Sequence, residues 1–111
     1  MPATCIFCKI VSKEIPALFI AENEHIIVLK DIAPKAPIHF LIIPKVHTDS
    51  INALTDDDVQ IAGKILLMAR DLAKQNDITS FRLIANTGKH SGQSVFHTHM
   101  HFLSGKQMID F

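Results

Sequence analysis

Residues 93–103 read Gln93-Ser94-Val95-Phe96-His97-Thr98-His99-Met100-His101-Phe102-Leu103. Three histidines alternate with other residues here. On a β-strand, positions i, i+2 and i+4 share one face. A strand from Phe96 to Leu103 would carry three imidazoles in a row on one side and Thr98, Met100 and Phe102 on the other. Imidazole suits nucleophilic and proton-transfer work near neutral pH. The preceding loop holds Gly88, Gly92 and Ser94. Glycines let backbone N–H groups approach an anion, and a serine hydroxyl adds a donor. The loop lacks the G-x-x-x-x-G-K-[ST] pattern of a triphosphate P-loop. Alone it reads as a hairpin connection; next to the histidines it reads as an anion cradle, which points to phosphorus chemistry.

Other strands flank this one. Leu18 to Glu22 and His25 to Asp31 read as a hairpin turned at Asn23-Glu24. Pro34 and Pro37 break the next segment. Ile38-His39-Phe40-Leu41-Ile42-Ile43 reads as a buried strand closed by Pro44, and Phe81 to Asn86 as a further strand. Thr55 reads as a helix N-cap with Asp56, Asp57 and Asp58 in the first turn. Ile61, Ala62, Ile65, Met68, Ala69, Leu72 and Ala73 follow at helical spacing. Capping accounts for the three aspartates without a metal. Cys5 to Ser12 suggests a short helix. Strands joined by short turns and one long helix predict an α+β fold with a mostly antiparallel sheet.

The chain has 111 residues, 48% of them hydrophobic, and no net formal charge. Its size predicts a single domain, 1–111, with a compact core. Zero net charge argues against a partner that is long nucleic acid. The longest apolar run is too short to span a bilayer, and the first residues lack a signal-peptide layout, so a cytoplasmic location is expected.

The cysteines are Cys5 and Cys8, spaced C-x-x-C. In a reducing compartment that spacing suggests metal binding, redox chemistry or two ordinary thiols. Thiolate and imidazole both suit Zn²⁺. With Cys5 and Cys8, His47 and His97 are the candidate ligands, although the separations match no zinc finger. His39 lies in an apolar run, which alone suggests a core histidine; a neighbouring strand could bring it to the triad. His25 and His90 read as surface or turn residues.

Residues 93–103 resemble the signature of the histidine triad (HIT) family, His-φ-His-φ-His-φ-φ with φ hydrophobic. Asp31-Ile32-Ala33-Pro34-Lys35-Ala36-Pro37-Ile38-His39 and Pro44-Lys45-Val46-His47 are similar to its earlier blocks, and Cys5-Ile6-Phe7-Cys8-Lys9-Ile10 to its amino-terminal block in zinc-containing bacterial members. Thr98 departs from the pattern, on the face away from the site. The nearest branch is the Hint-type nucleoside phosphoramidases. The resemblance implies a HIT-like five-stranded sheet with one long helix and a short N-terminal helix. It implies a homodimer whose two sheets join. It also implies hydrolysis of purine nucleoside phosphoramidates through a nucleotidyl-histidine. His99 would be the nucleophile, with His101, His39 and Ser94 on the phosphate or leaving group. Asp31 would hold the ribose. Asn86 would help fix the site, Gly92 and Gln93 would bind substrate with it, and Ile6, Phe7, Ile10, Leu29 and Ile32 would line the base and ribose pocket. Structural Zn²⁺ would sit on Cys5, Cys8, His47 and His97. A zinc-bound histidine has its lone pair committed, which favours His99 over His97 as nucleophile. Neighbouring imidazoles disfavour each other's protonation, which keeps a nucleophile available. Dinucleoside polyphosphate hydrolysis, nucleotidyl transfer and a nucleotide-binding scaffold are the competing readings.

Overall fold

Five strands form one antiparallel sheet in the computed structural model, which describes residues 4–109. They are β1 (Phe19–Glu22), β2 (Ile26–Lys30), β3 (Ile38–Pro44), β4 (Arg82–Ile84) and β5 (Met100–Ser104), in the order β1-β2-β3-β5-β4. Helix α1 (Ile6–Val11) precedes the sheet, and helix α2 (Val59–Gln75) connects β3 to β4. This is the expected α+β, HIT-like architecture: a five-stranded sheet, one long helix and a short N-terminal helix.

Local chemistry accounts for the turns and caps. The β1–β2 loop takes in His25 as well as Asn23 and Glu24, because the Asn23 side-chain oxygen accepts from the N–H groups of His25 and Ile26, both at 2.9 Å. Such an Asx turn replaces missing backbone partners. Thr55 caps a 3-10 turn, Asp56–Asp58, that leads into α2. Its hydroxyl accepts from the Asp57 N–H, and the Asp58 carboxylate accepts from the Thr55 N–H at 2.8 Å. The aspartates therefore serve the helix start.

The two sheet faces have different cover. Ile26, Val28, Phe40, Ile42 and Phe102 pack against Ile65, Ala69, Leu72 and Ala73 of α2. On the other face, Ile27, Leu29 and Ile43 pack against Phe7, Cys8 and Ile10 of α1. β2 is buried on both sides, which explains its unbroken apolar run. The α1 cluster contains no residue of β4 or β5. On that part of the face the register sets His39 opposite Leu103, Leu41 and Ile84 opposite His101, and Arg82 opposite Leu103. The candidate site occupies this uncovered area.

The histidine strand is shorter than expected. β5 begins at Met100, so His97 and His99 lie in its lead-in and only His101 is on the strand. The β3–β5 register would set Pro44 opposite Thr98. Proline has no N–H to donate, and the Pro44 carbonyl accepts from the His97 ring at 2.7 Å. The ladder therefore stops. Thr98 instead donates its N–H to the Thr48 carbonyl at 2.7 Å, and its hydroxyl bonds the same carbonyl at 3.1 Å. β4 shortens in step, ending at Ile84 instead of Asn86.

Phe102 is fully buried and stacks on Phe81 and Phe40, with centroids at 4.6 and 5.8 Å. Phe102→Ala should cost about 3–5 kcal/mol, against about 1 kcal/mol for Thr55→Ala at the helix cap. Urea denaturation measures both. Equal losses would contradict this description of the core.

Candidate functional site

Two clusters of side chains meet at the lead-in to β5. The first joins the N-terminus to it. Cys5 caps α1, and the Cys8 N–H donates to its Sγ at 3.4 Å. Cys5 Sγ lies 3.4 Å from His97 Nδ1, and Cys8 Sγ lies 3.4 Å from His47 Nδ1 and 3.6 Å from His97 Nδ1. The two Nδ1 atoms are 3.1 Å apart.

Tautomers explain this convergence. A carbonyl only accepts, so His97 Nε2–H donates to Pro44. His47 Nε2 is 2.7 Å from an Asp49 carboxylate oxygen, to which it donates. Each ring in its neutral form therefore turns a bare Nδ1 lone pair toward two thiols. An ion with tetrahedral bonds of about 2.3 Å to sulfur and about 2.0–2.1 Å to nitrogen holds those donors about 3.5 Å apart. All four donor atoms lie within 4.8 Å of one another. The set fits a metal ion, with Pro44 and Asp49 orienting the imidazole ligands.

The second cluster surrounds His99 and His101. His99 Nδ1 is 2.7 Å from the carbonyl oxygen of His97. It must donate there, which leaves the Nε2 lone pair free. Phe7 packs edge-on against this ring, centroids 5.1 Å apart. The Lys35 N–H donates to His39 Nδ1 at 3.0 Å. Neutral His39 therefore carries its proton on Nε2, which donates to His101 Nδ1 at 2.9 Å. His101 in turn carries its proton on Nε2. An Asp31 carboxylate oxygen lies 3.4 Å from His39 Nε2 and 4.0 Å from His101 Nδ1. Asp31, His39 and His101 also have the spacing of a metal-binding group. The proton on His39 Nε2, fixed by the Lys35 amide, makes them a hydrogen-bonded set instead.

Burial is the largest effect holding His39, His97 and His101 below the usual imidazole range. Asp31 opposes it at His39 and His101, while the Lys35 charge adds to it at both. Burial, then the hydrogen bond and charge of Cys5, push the Cys8 thiol up to about 11.

Two cavities open onto these groups. A cleft of about 490 Å³ is lined by Asp31, Lys35, His39, Asn86, Gly92, Ser94, His99 and His101, among others. A mostly apolar cavity of about 670 Å³ is lined by Ile6, Phe7, Ile10, Leu29, Ile32 and Leu41, with Asp31, Ser94, His99 and His101 at its junction with the cleft. Gln93 differs from its expected placement on the substrate. Its buried side chain accepts from the Gly88 N–H and donates to the carbonyls of Asp49 and Val95, so it braces the loop from beneath. Gly88 and Gly92, at φ 87° and 98°, supply the left-handed turns that this loop needs. His90 is exposed and lines neither cavity; His25 sits beside Glu24 at 3.8 Å. Sequence reasoning missed Asp49, although its position two residues after a candidate ligand was a usable signal. It also missed the main-chain roles of Lys35 and Pro44, which leave no mark on residue type.

Residues 4–111 match the family model described as "Scavenger mRNA decapping enzyme C-term binding". Protein HitA of Neisseria gonorrhoeae is 45% identical over 100 residues, covering 89% of this chain and 94% of that one. The crystal structure of a HIT family hydrolase from Legionella pneumophila Philadelphia 1 is 42% identical and superposes with a TM-score of 0.93 over 96% of each chain. A histidine triad protein from Clostridium difficile is 37% identical, with a TM-score of 0.95 over 100% of this chain and 98% of that one.

The first cluster should take up one Co²⁺ per chain and develop a thiolate-to-metal absorption band. Cys8→Ala should lose that band, and chelation should lower the melting temperature. A chain that takes up no metal would refute the ligand assignment. The second cluster makes stability depend on pH. Unfolded imidazoles gain protons near pH 6.5, whereas His39 and His101 gain theirs lower down. The unfolded state therefore binds more protons in that window, and stability falls as pH drops below about 6.5. The urea midpoint should be lower at pH 5.5 than at pH 7.5, and the difference should shrink in His39→Gln/His101→Gln. An unchanged difference would show that the pair is not responsible.

Proposed function

The chain belongs to the histidine triad family, and from that premise we propose that it is a Hint-type hydrolase of purine nucleoside phosphoramidates. The observation that carries this reading is the His99 tautomer. Its Nδ1–H is held by the His97 carbonyl at 2.7 Å, and its free Nε2 lone pair adjoins a cleft also lined by Ser94 and His101.

The base would lie among Ile6, Phe7, Ile10, Leu29 and Ile32. Asp31 lines both cavities, which suits it to the ribose that must bridge them. Its Oδ1 accepts from the Ala33 N–H at 2.7 Å and its Oδ2 lies 3.4 Å from His39 Nε2, so each oxygen keeps a lone pair for the sugar hydroxyls. His99 Nε2 attacks the α-phosphorus, and the bond from phosphorus to the amine breaks. The His97 carbonyl stabilises the imidazolium formed on His99. The His101 Nε2–H, oriented through His39, and the Gly92 and Asn86 side of the cleft bind the non-bridging oxygens. Ser94 passes a proton to the departing amine and recovers one from water. Water then attacks the nucleotidyl-His99, releasing the nucleoside monophosphate, neutral His99 and the proton borrowed earlier.

The donor set of two thiolates and two imidazoles suits zinc on Cys5, Cys8, His47 and His97. When bound, the ion supplies a fixed structural tie between α1 and His97. A thiol-based metal site also suits the reducing cytoplasm. We further propose a homodimer joined at the β4 edge. That edge is short, with half-exposed Phe81 just before it and half-exposed Ile84 as its last residue. The β1 edge is instead guarded by Glu22, which pairs with Lys13 at 3.1 Å and Lys45 at 2.8 Å.

His99→Ala should lower kcat by about a thousandfold or more, while calorimetry still detects nucleoside monophosphate binding. Rapid quenching of the wild type should trap a nucleotidyl adduct that peptide mapping places on His99. An adduct on His97 or His101, or near-normal turnover by His99→Ala, would overturn the reading.

A further inference from the structure

A third cavity, of about 220 Å³, continues the cleft on the side away from the base cavity. It shares Lys35, Ile84 and Leu103 with the cleft, and none of its lining with the base cavity. The register explains the continuity. Ile84 stands opposite His101 and Arg82 opposite Leu103, so β4 and β5 extend one wall outward from the triad. Among the described residues lining this third cavity, Lys35, Arg82 and Lys106 are cationic and none is a carboxylate. The Arg82 guanidinium donates to the Ile109 carbonyl at 2.8 Å and so helps to shape the wall. Lys35 and Lys106 are both exposed. The Lys35 charge also reaches inward, because it helps to disfavour protonation of His39 and His101.

In-line attack sends the leaving group away from His99. With the base in the apolar cavity and the α-phosphate in the cleft, the third cavity is an outlet of the cleft that shares no lining with the base cavity and carries the cations. We infer that Lys35 and Lys106 form a leaving-group subsite that selects substrates whose leaving group carries a phosphate or a carboxylate. The inference rests on the proposed hydrolase reading and adds the charge class of its substrate. The lysines act there as point charges on a mobile stem, which suits anions of variable reach better than a fixed guanidinium fork.

The test uses three adenosine substrates with the full-length protein. The 5′-phosphoramidate of β-alanine has a carboxylate leaving group, that of propylamine is its neutral counterpart of similar size, and diadenosine triphosphate releases a phosphate-bearing group. Wild type should favour the β-alanine compound over the propylamine compound in kcat/KM by about tenfold, the scale of one charge-assisted contact. Added salt should reduce that preference. Lys106→Gln, which alters only the third cavity, should reduce the preference while leaving the propylamine compound unaffected. Lys35→Gln should reduce it further, and Lys35→Arg should retain it. A Lys35→Gln loss on both charged substrates assigns the subsite to anions in general. A loss on diadenosine triphosphate alone assigns it to phosphate, and a loss on the β-alanine compound alone assigns it to carboxylate. Equal kcat/KM for the charged and neutral compounds, or an equal loss on all three in both glutamine variants, would overturn the subsite. Absence of any nucleotidyl-His99 would instead overturn the hydrolase reading itself.

Discussion

The arrangement depends on His97 and the three different partners of its atoms. Its Nε2–H bonds the Pro44 carbonyl, its Nδ1 faces Cys5, Cys8 and His47, and its own carbonyl accepts the Nδ1–H of His99. The first bond ends the β3–β5 ladder. The second ties the N-terminal helix to the lead-in. The third sets the tautomer of the proposed nucleophile. A fully buried imidazole without partners would be costly. Here each polar atom has one, so the ring and the backbone around it hold a single orientation.

A second constraint is the unequal cover of the sheet. α2 packs across one face, while the α1 cluster stays over β2 and β3 on the other. Among the described residues no helix lies over the outer part of that face, and there the polar residues of β3 and β5 open onto cavities. His39 can be buried and His101 partly buried while both remain functional, because they satisfy each other. The Lys35 amide fixes the direction of their hydrogen bond, and Asp31 supports it. Such a pair stays neutral near pH 7, which suits donation of a hydrogen bond to phosphate better than storage of an extra proton.

The sequence was most legible where chemistry is local. The Thr55 cap with its aspartates, the helical spacing from Ile61 to Ala73, and the C-x-x-C turn at the start of α1 are read over a few residues, and the structure contains all three. Strand ends were less legible. Phe96 to Met100 alternates like a strand, yet the ladder stops at Met100 because of a proline on another strand. The motif around Gln93 implies a substrate contact, but its side chain is held by the backbone groups of Gly88, Asp49 and Val95.

The sequence by itself determined the α+β class, the long helix and its cap, and the set of cysteines and histidines available for chemistry. Periodicity, capping and residue type are properties of short stretches, so a linear reading recovers them. Only the tertiary structure decided which nitrogen of His39, His47, His97, His99 and His101 carries a proton. His97 and His101 take their states from Pro44 and His39, 53 and 62 residues away, while His39, His47 and His99 take theirs from the Lys35 N–H, Asp49 and the His97 carbonyl, near in sequence but brought into reach only by the fold. Three of these states depend on main-chain atoms of Pro44, Lys35 and His97, whose hydrogen bonds no side-chain pattern records. Folding brings those atoms within hydrogen-bonding distance, and that proximity makes three similar imidazoles chemically distinct.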